Sequence, residues 1–111
     1  MKELMEAVRT FRDERDWARF HTPKNLAMAL IVEAAELVEH FQWQTPEQSQ
    51  ALDPETRNAV AEEIADVLIY LVNLADVLGI DPLAAAERKL ERNRERFPVA
   101  GLAPGGSESG A

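Results

Sequence analysis

The 111-residue chain contains no cysteine. Disulfides, thiolate metal sites and a cysteine nucleophile are therefore excluded, and nothing asks for an oxidising compartment. Positive charge is also scarce: 12 Lys and Arg stand against 20 Asp and Glu, giving a formal charge of −8. Nucleic-acid binding needs a basic face to neutralise phosphates, so this balance argues against such a partner. No apolar run is long enough to span a bilayer, and the start Met1-Lys2-Glu3 is too charged for a signal peptide. The expectation is a soluble cytoplasmic protein with no nucleic-acid or membrane partner. Glycine numbers only five, and none builds a phosphate-cradling loop. A Gly-x-Ser-x-Gly elbow and a Ser/His/Asp signature are missing as well, so any phosphate chemistry would have to be driven by a metal ion.

What is present is helical. Thr22-Pro23, Asp53-Pro54 and Asp81-Pro82 each place a capping oxygen directly before a proline at the first helical position, where the missing N–H costs nothing. Thr45-Pro46 is a shorter case of the same grammar. These signals predict four main helices, over about 2–19, 23–43, 54–78 and 82–96, the third capped by Gly79. Leu4, Val8 and Phe11 supply the apolar stripe of the first, whose rim reads as charged and solvated. The second and third are apolar nearly all round, as in Leu26 to Val32 and Val67 to Val72. The fold class is thus all-α, a four-helix bundle, with the surplus apolar surface implying burial against another subunit. The four phenylalanines read as core, and the Gly- and Ser-rich end as a disordered tail.

Charges interrupt the two apolar helices. Between Leu26 and Leu78 ten acidic residues face one basic residue, Arg57. Burying a carboxylate costs several kcal/mol unless it is paired or metal-bound, and partners within these helices are lacking. Glu33-x-x-Glu36 and Glu63-x-x-Asp66 each put two carboxylates on one helix face, so two facing helices would converge four. Oxygen-only ligation suits Mg²⁺, with Mn²⁺ a substitute. A di-iron bundle would need Glu-x-x-His motifs, and the chain has none. Glu39, Glu62 and Asp76 read as ordinary solvated positions. Glu33, Glu36, His40 and Trp43 form one stripe, and Glu63, Asp66, Tyr70 and Asn73 form another with the same spacing.

The last helix reverses the sign. It carries +2, and Lys89, Arg92, Asn93 and Arg96 fall on one face as a set of phosphate donors. Trp17, Phe20 and His21 at the first junction, and Phe41 and Trp43 after the second helix, are the aromatic groups a nucleobase would need.

The two carboxylate pairs, together with Glu14-Arg15-Asp16-Trp17, Phe20-His21-x-Pro23, Phe41-Gln42-Trp43, Asp66 to Val72 and Asn93-Arg94-x-Arg96-Phe97-Pro98, resemble the MazG-like all-α nucleoside triphosphate pyrophosphatases. Within that superfamily the dCTP pyrophosphatase branch is the most similar. The resemblance covers about residues 5–98, which assigns 1–98 to one domain and leaves 99–111 as the tail. It implies Mg²⁺-dependent hydrolysis of a nucleoside triphosphate, dCTP or a modified dCTP, to the monophosphate and pyrophosphate. Glu33, Glu36, Glu63 and Asp66 would hold the metal and carry catalysis. Trp17, His21, Trp43, Tyr70 and Asn73 would line the base and sugar pocket, and Lys89 and Asn93 would reach phosphates. A homo-oligomer, dimer or tetramer, with sites completed across subunits is also implied. A dUTP or broad-specificity pyrophosphatase is the alternative within the enzyme class, and a catalytically silent nucleotide-binding helical module the alternative outside it.

Overall fold

The computed structural model describes residues 1–99, all helix and connection. Five α-helices run in order: α1 (Lys2–Glu14), α2 (Pro23–Glu39), the one-turn α3 (Pro46–Ser49), α4 (Pro54–Val77) and α5 (Pro82–Arg96), with a short 3₁₀ turn at Ala18–Phe20. The four-helix expectation is thus corrected to five, because Thr45-Pro46 starts a helix of its own. Most of the expected tail, 99–111, lies outside the described residues. The chain divides into two compact units, Met1–Gly79 and the segment from Ile80.

All four Pro-started helices are capped as their sequences require. Thr22 Oγ1 accepts from Asn25 N at 3.2 Å, and Asp53 Oδ1 from Thr56 N at 2.7 Å. Asp81 Oδ1 accepts from both Leu83 N and Ala84 N. Thr45 and Gln48 form a reciprocal capping box. Gly79 follows the α4 C-cap with φ +67°, the left-handed conformation that ends a helix without a Cβ clash.

Two C-termini fall short of expectation. α1 stops at Glu14 because Asp16 takes a left-handed φ of +54°. Asp16 N donates to Asp13 O and Trp17 N to Arg12 O, the two bonds of a Schellman motif, here closed by aspartate instead of glycine. α2 ends at Glu39 and continues as turns through Trp43.

In the first unit α4 packs against both α2 and α1. Leu26 and Val72 are fully buried where α2 meets α4, joined by Val8, Val60 and Ala75. Leu26→Ala is expected to cost about 2–5 kcal/mol, as buried Leu truncations do, read by urea unfolding at fixed protein concentration. A cost below about 1 kcal/mol would mean that Leu26 is not a core residue.

This core is small for helices so apolar. Met28, Ile31, Val32 and Val38 on α2 form one stripe at i, i+3, i+4, i+10, and Ile64, Leu68 and Leu71 another on α4; all are exposed, Ile31 by 69%. The phenylalanines are not the core the sequence implied: Phe11 and Phe20 are 49% and 57% exposed, and Phe41 and Phe97 are half-buried.

Candidate metal centre and cavity

Glu33 and Glu36 lie one turn apart on α2, and α4 brings Glu63 opposite them. One carboxylate oxygen from each lies within 4.8 Å of the others. Glu33 Oε2 and Glu63 Oε2 are buried without a hydrogen-bond partner. Such orphaned oxygens are costly to leave unmatched, and three convergent hard oxygens are the donor set of a divalent cation.

The electrostatics of the cluster follow from its crowding. Glu33 is pushed up to about 7, first because it hydrogen-bonds Glu36 and then because burial and the charges of Glu36, Asp66 and Glu63 oppose its ionisation. Glu63 is also raised, by burial and by the charges of Glu36 and Asp66. His40, one turn beyond Glu36, is the neighbour that favours Glu63's charged form. Asp66 adds its charge to the cluster but stands apart from the trio, exposed and lining a cavity between α1 and α4.

That cavity measures about 480 Å³. Asp66, Tyr70 and Asn73 form its α4 wall at i, i+4, i+7, and Ala7, Val8, Phe11 and Arg12 its α1 wall. Trp17 and His21 close one side. The Schellman turn carries Trp17 back onto Phe11, edge to face with ring centroids 5.6 Å apart. The 3₁₀ turn then sets His21 beside Trp17, at 6.1 Å, and Asn25 Nδ2 ties the turn to α2 through Phe20 O. His21 is held below the usual histidine range by burial and by the nearby Arg12 charge, and its Nδ1 is buried without a partner.

Of the residues singled out in the sequence, Glu33, Glu36 and Glu63 come together, and Asp66, Tyr70, Asn73, Trp17 and His21 share the cavity. Trp43 does not line it: it stands 88% exposed beyond the end of α2. Lys89 and Asn93 lie one turn apart on α5, in the second unit.

Two residues escaped the sequence reading. Asp76, taken as solvated, has its side chain only 8% exposed and pairs with two α1 arginines. Arg9 forks onto both carboxylate oxygens, and Arg12 Nη2 donates to Oδ2 at 2.9 Å. The two arginines hold Asp76 below the usual carboxylate range. Arg12, which the sequence reading did not single out, is one of two buried polar residues among the described residues. The signal was its register: Arg12 lies at i+8 from Leu4, inside the apolar stripe.

The model of the MazG-like family matches residues 28–102. Over 101 residues the chain is 47% identical to dCTP pyrophosphatase 1 of Rattus norvegicus and, equally, of Homo sapiens, covering 89% of this chain and 59% of each relative. The chain therefore spans about three-fifths of the length of these curated relatives. A crystal structure of a pyrophosphatase from Archaeoglobus fulgidus superposes with a TM-score of 0.83 at 46% identity, covering 88% of this chain and 92% of that one.

Proposed function

The chain belongs to the MazG-like family, and from that membership and the site's geometry we propose that it hydrolyses a nucleoside triphosphate, dCTP or a modified dCTP, to the monophosphate and pyrophosphate. The observation that carries this is the carboxylate trio with two orphaned oxygens, set next to a cavity walled by aromatic rings. The relatives' names, dCTP pyrophosphatase 1, support the choice of base.

Glu33, Glu36 and Glu63 would hold Mg²⁺ or Mn²⁺, with Asp66 the fourth oxygen on the same face of α4. The ion supplies neutralisation of the triphosphate's developing charge and polarisation of a phosphoryl oxygen. Trp17 and Tyr70 offer faces and edges to a ring and its sugar, while neutral His21 and Asn73 offer hydrogen bonds. Lys89 and Asn93 on α5 are assigned to phosphate oxygens. The exposed α2 and α4 stripes support a homo-oligomer, dimer or tetramer, and Trp43, exposed in its own chain, is assigned to the site of a neighbouring subunit. The biological sense is control or cleaning of a cytoplasmic nucleotide pool, with neither nucleic acid nor membrane as partner. Among the described residues no single helix is long and apolar enough to cross a membrane.

The test is a panel of dCTP, 5-methyl-dCTP, dUTP and dATP, each with Mg²⁺, followed by pyrophosphate release. The expected result is release with the cytosine nucleotides ahead of the others. No release from any of them, or release without divalent cation, would end the reading.

A further inference from the structure

The cavity wall holds a buried arginine whose donors the fold does not fully match. Arg12 is 7% exposed, and Asn73, the other buried polar residue among the described residues, is its neighbour. A buried guanidinium is tolerable when its donors are matched. Asp76 takes one N–H and Asn73 Oδ1 another, at 3.4 Å. Nε is buried with no hydrogen-bond partner, its closest carboxylate oxygen being Asp13 Oδ1 at 3.6 Å. Asp76 is already forked by Arg9, so its pairing does not require Arg12. Asn73 turns its carbonyl oxygen to Arg12, which leaves its NH₂ for other partners. This end of the cavity therefore holds a buried donor, Arg12 Nε, and an Asn73 NH₂ that the fold leaves without matching acceptors.

Its position fixes what it can meet. Asn73 lies two turns along α4 from Asp66, ~10 Å at the helical rise, and farther still from Glu63. With the triphosphate at the carboxylates, the far edge of the nucleoside lies at Arg12. A planar fork of parallel N–H groups matches two adjacent acceptors on a ring edge, the geometry by which arginine reads guanine O6 and N7. Cytosine presents such a pair in O2 and N3. Uracil and thymine present N3–H at the same place, a donor against a donor, and a buried donor left unmatched is heavily penalised.

We propose that Arg12, oriented by Asp76 and Asn73, reads the O2–N3 edge of cytosine and is the residue that sets the preference for cytosine over uracil and thymine nucleotides. This inference rests on the pyrophosphohydrolase reading for its substrate.

The experiment compares kcat/KM for dCTP, dUTP and 3-deaza-dCTP, in which N3 is replaced by C–H, using wild type, Arg12→Met and Arg12→Lys. Wild type should favour dCTP over the other two by roughly 10- to 100-fold, the discrimination a good bidentate contact supplies. Arg12→Met should collapse the ratio of dCTP to dUTP and of dCTP to 3-deaza-dCTP to about one, and Arg12→Lys should recover only part of the preference. A merely structural Arg12 would lower all three substrates alike, and that result overturns the proposal. Equal turnover of dCTP and 3-deaza-dCTP by wild type also overturns it, and needs no variant to fold. Tryptophan fluorescence titrated with dCMP and dUMP separates the two readings: Arg12-dependent preference for dCMP without turnover of any triphosphate keeps this inference and removes the enzymatic one.

Discussion

Glu63→Gln is expected to cut pyrophosphate release by at least about 100-fold, the scale of losing one preorganised charged group at a reacting phosphate, and at the same time to stabilise the metal-free protein. The two effects come from one cause. In the metal-free protein Glu33 is raised to about 7 by its hydrogen bond with Glu36, by burial and by the neighbouring carboxylates, and Glu63 is raised by burial and by the charges of Glu36 and Asp66. A carboxyl raised in the folded state holds its proton more tightly folded than unfolded. Its contribution is therefore fully present below the ordinary value of 4.5 and is lost as pH rises through about 7. Above that pH the folded chain carries unrelieved negative charge. Removing one charge with glutamine relieves part of it and raises the melting temperature at pH 8.

The cation relieves the same repulsion from the other side. Because Mg²⁺ must displace protons from the carboxyls, its binding strengthens as pH rises. Mg²⁺ should therefore raise the melting temperature of wild type clearly at pH 8 and little at pH 5, and should do much less for Glu63→Gln at either pH. Differential scanning fluorimetry with Mg²⁺ and with EDTA reads all of these conditions. Equal stabilisation of wild type and variant at pH 8 would show that the ion is held elsewhere.

Much of this site was legible because its signals are local. Four of the five helix starts are written in two adjacent residues, Thr22-Pro23, Thr45-Pro46, Asp53-Pro54 and Asp81-Pro82, and each pair is used. The α4 stripe of Asp66, Tyr70 and Asn73 lies within one unbroken helix, so its spacing carries straight through to the cavity wall. The matching α2 stripe keeps His40 beside the cluster but loses Trp43, because the helix ends at Glu39 and Trp43 leaves the register that a longer helix would have kept. The C-terminus of α1 was invisible for a related reason. A Schellman turn is usually announced by glycine, and here Asp16 adopts the left-handed conformation instead. The pairing of Arg9 and Arg12 with Asp76 joins residues more than sixty positions apart. Charge counts within a helix cannot find it, since the compensating cations come from α1.

The remaining large effect concerns the apolar surplus. Ile31→Glu is expected to dissociate the homo-oligomer proposed above and to lower the melting temperature, although Ile31 is not among the cluster carboxylates or the residues lining the cavity. Ile31 sits in the middle of the α2 stripe and is 69% exposed within its own chain. Burying such a side chain against another subunit contributes about 1.5–3 kcal/mol. In a symmetric interface each copy makes the contact, so the substitution counts twice. The glutamate adds the cost of a desolvated charge, which no nearby cation offsets, because Arg57 is the only basic residue from Leu26 to Leu78. Folding and association are linked, so wild type should melt at a temperature that rises with protein concentration and the variant should lose that dependence. If Trp43 completes a neighbouring site, activity should fall together with the assembly mass. Light scattering coupled to size exclusion, run at matched concentrations, reads the outcome. A wild type that is monomeric at micromolar concentration, or an Ile31→Glu variant of unchanged mass, would mean that the stripe is not the contact and that the apolar faces of α2 and α4 are covered in another way.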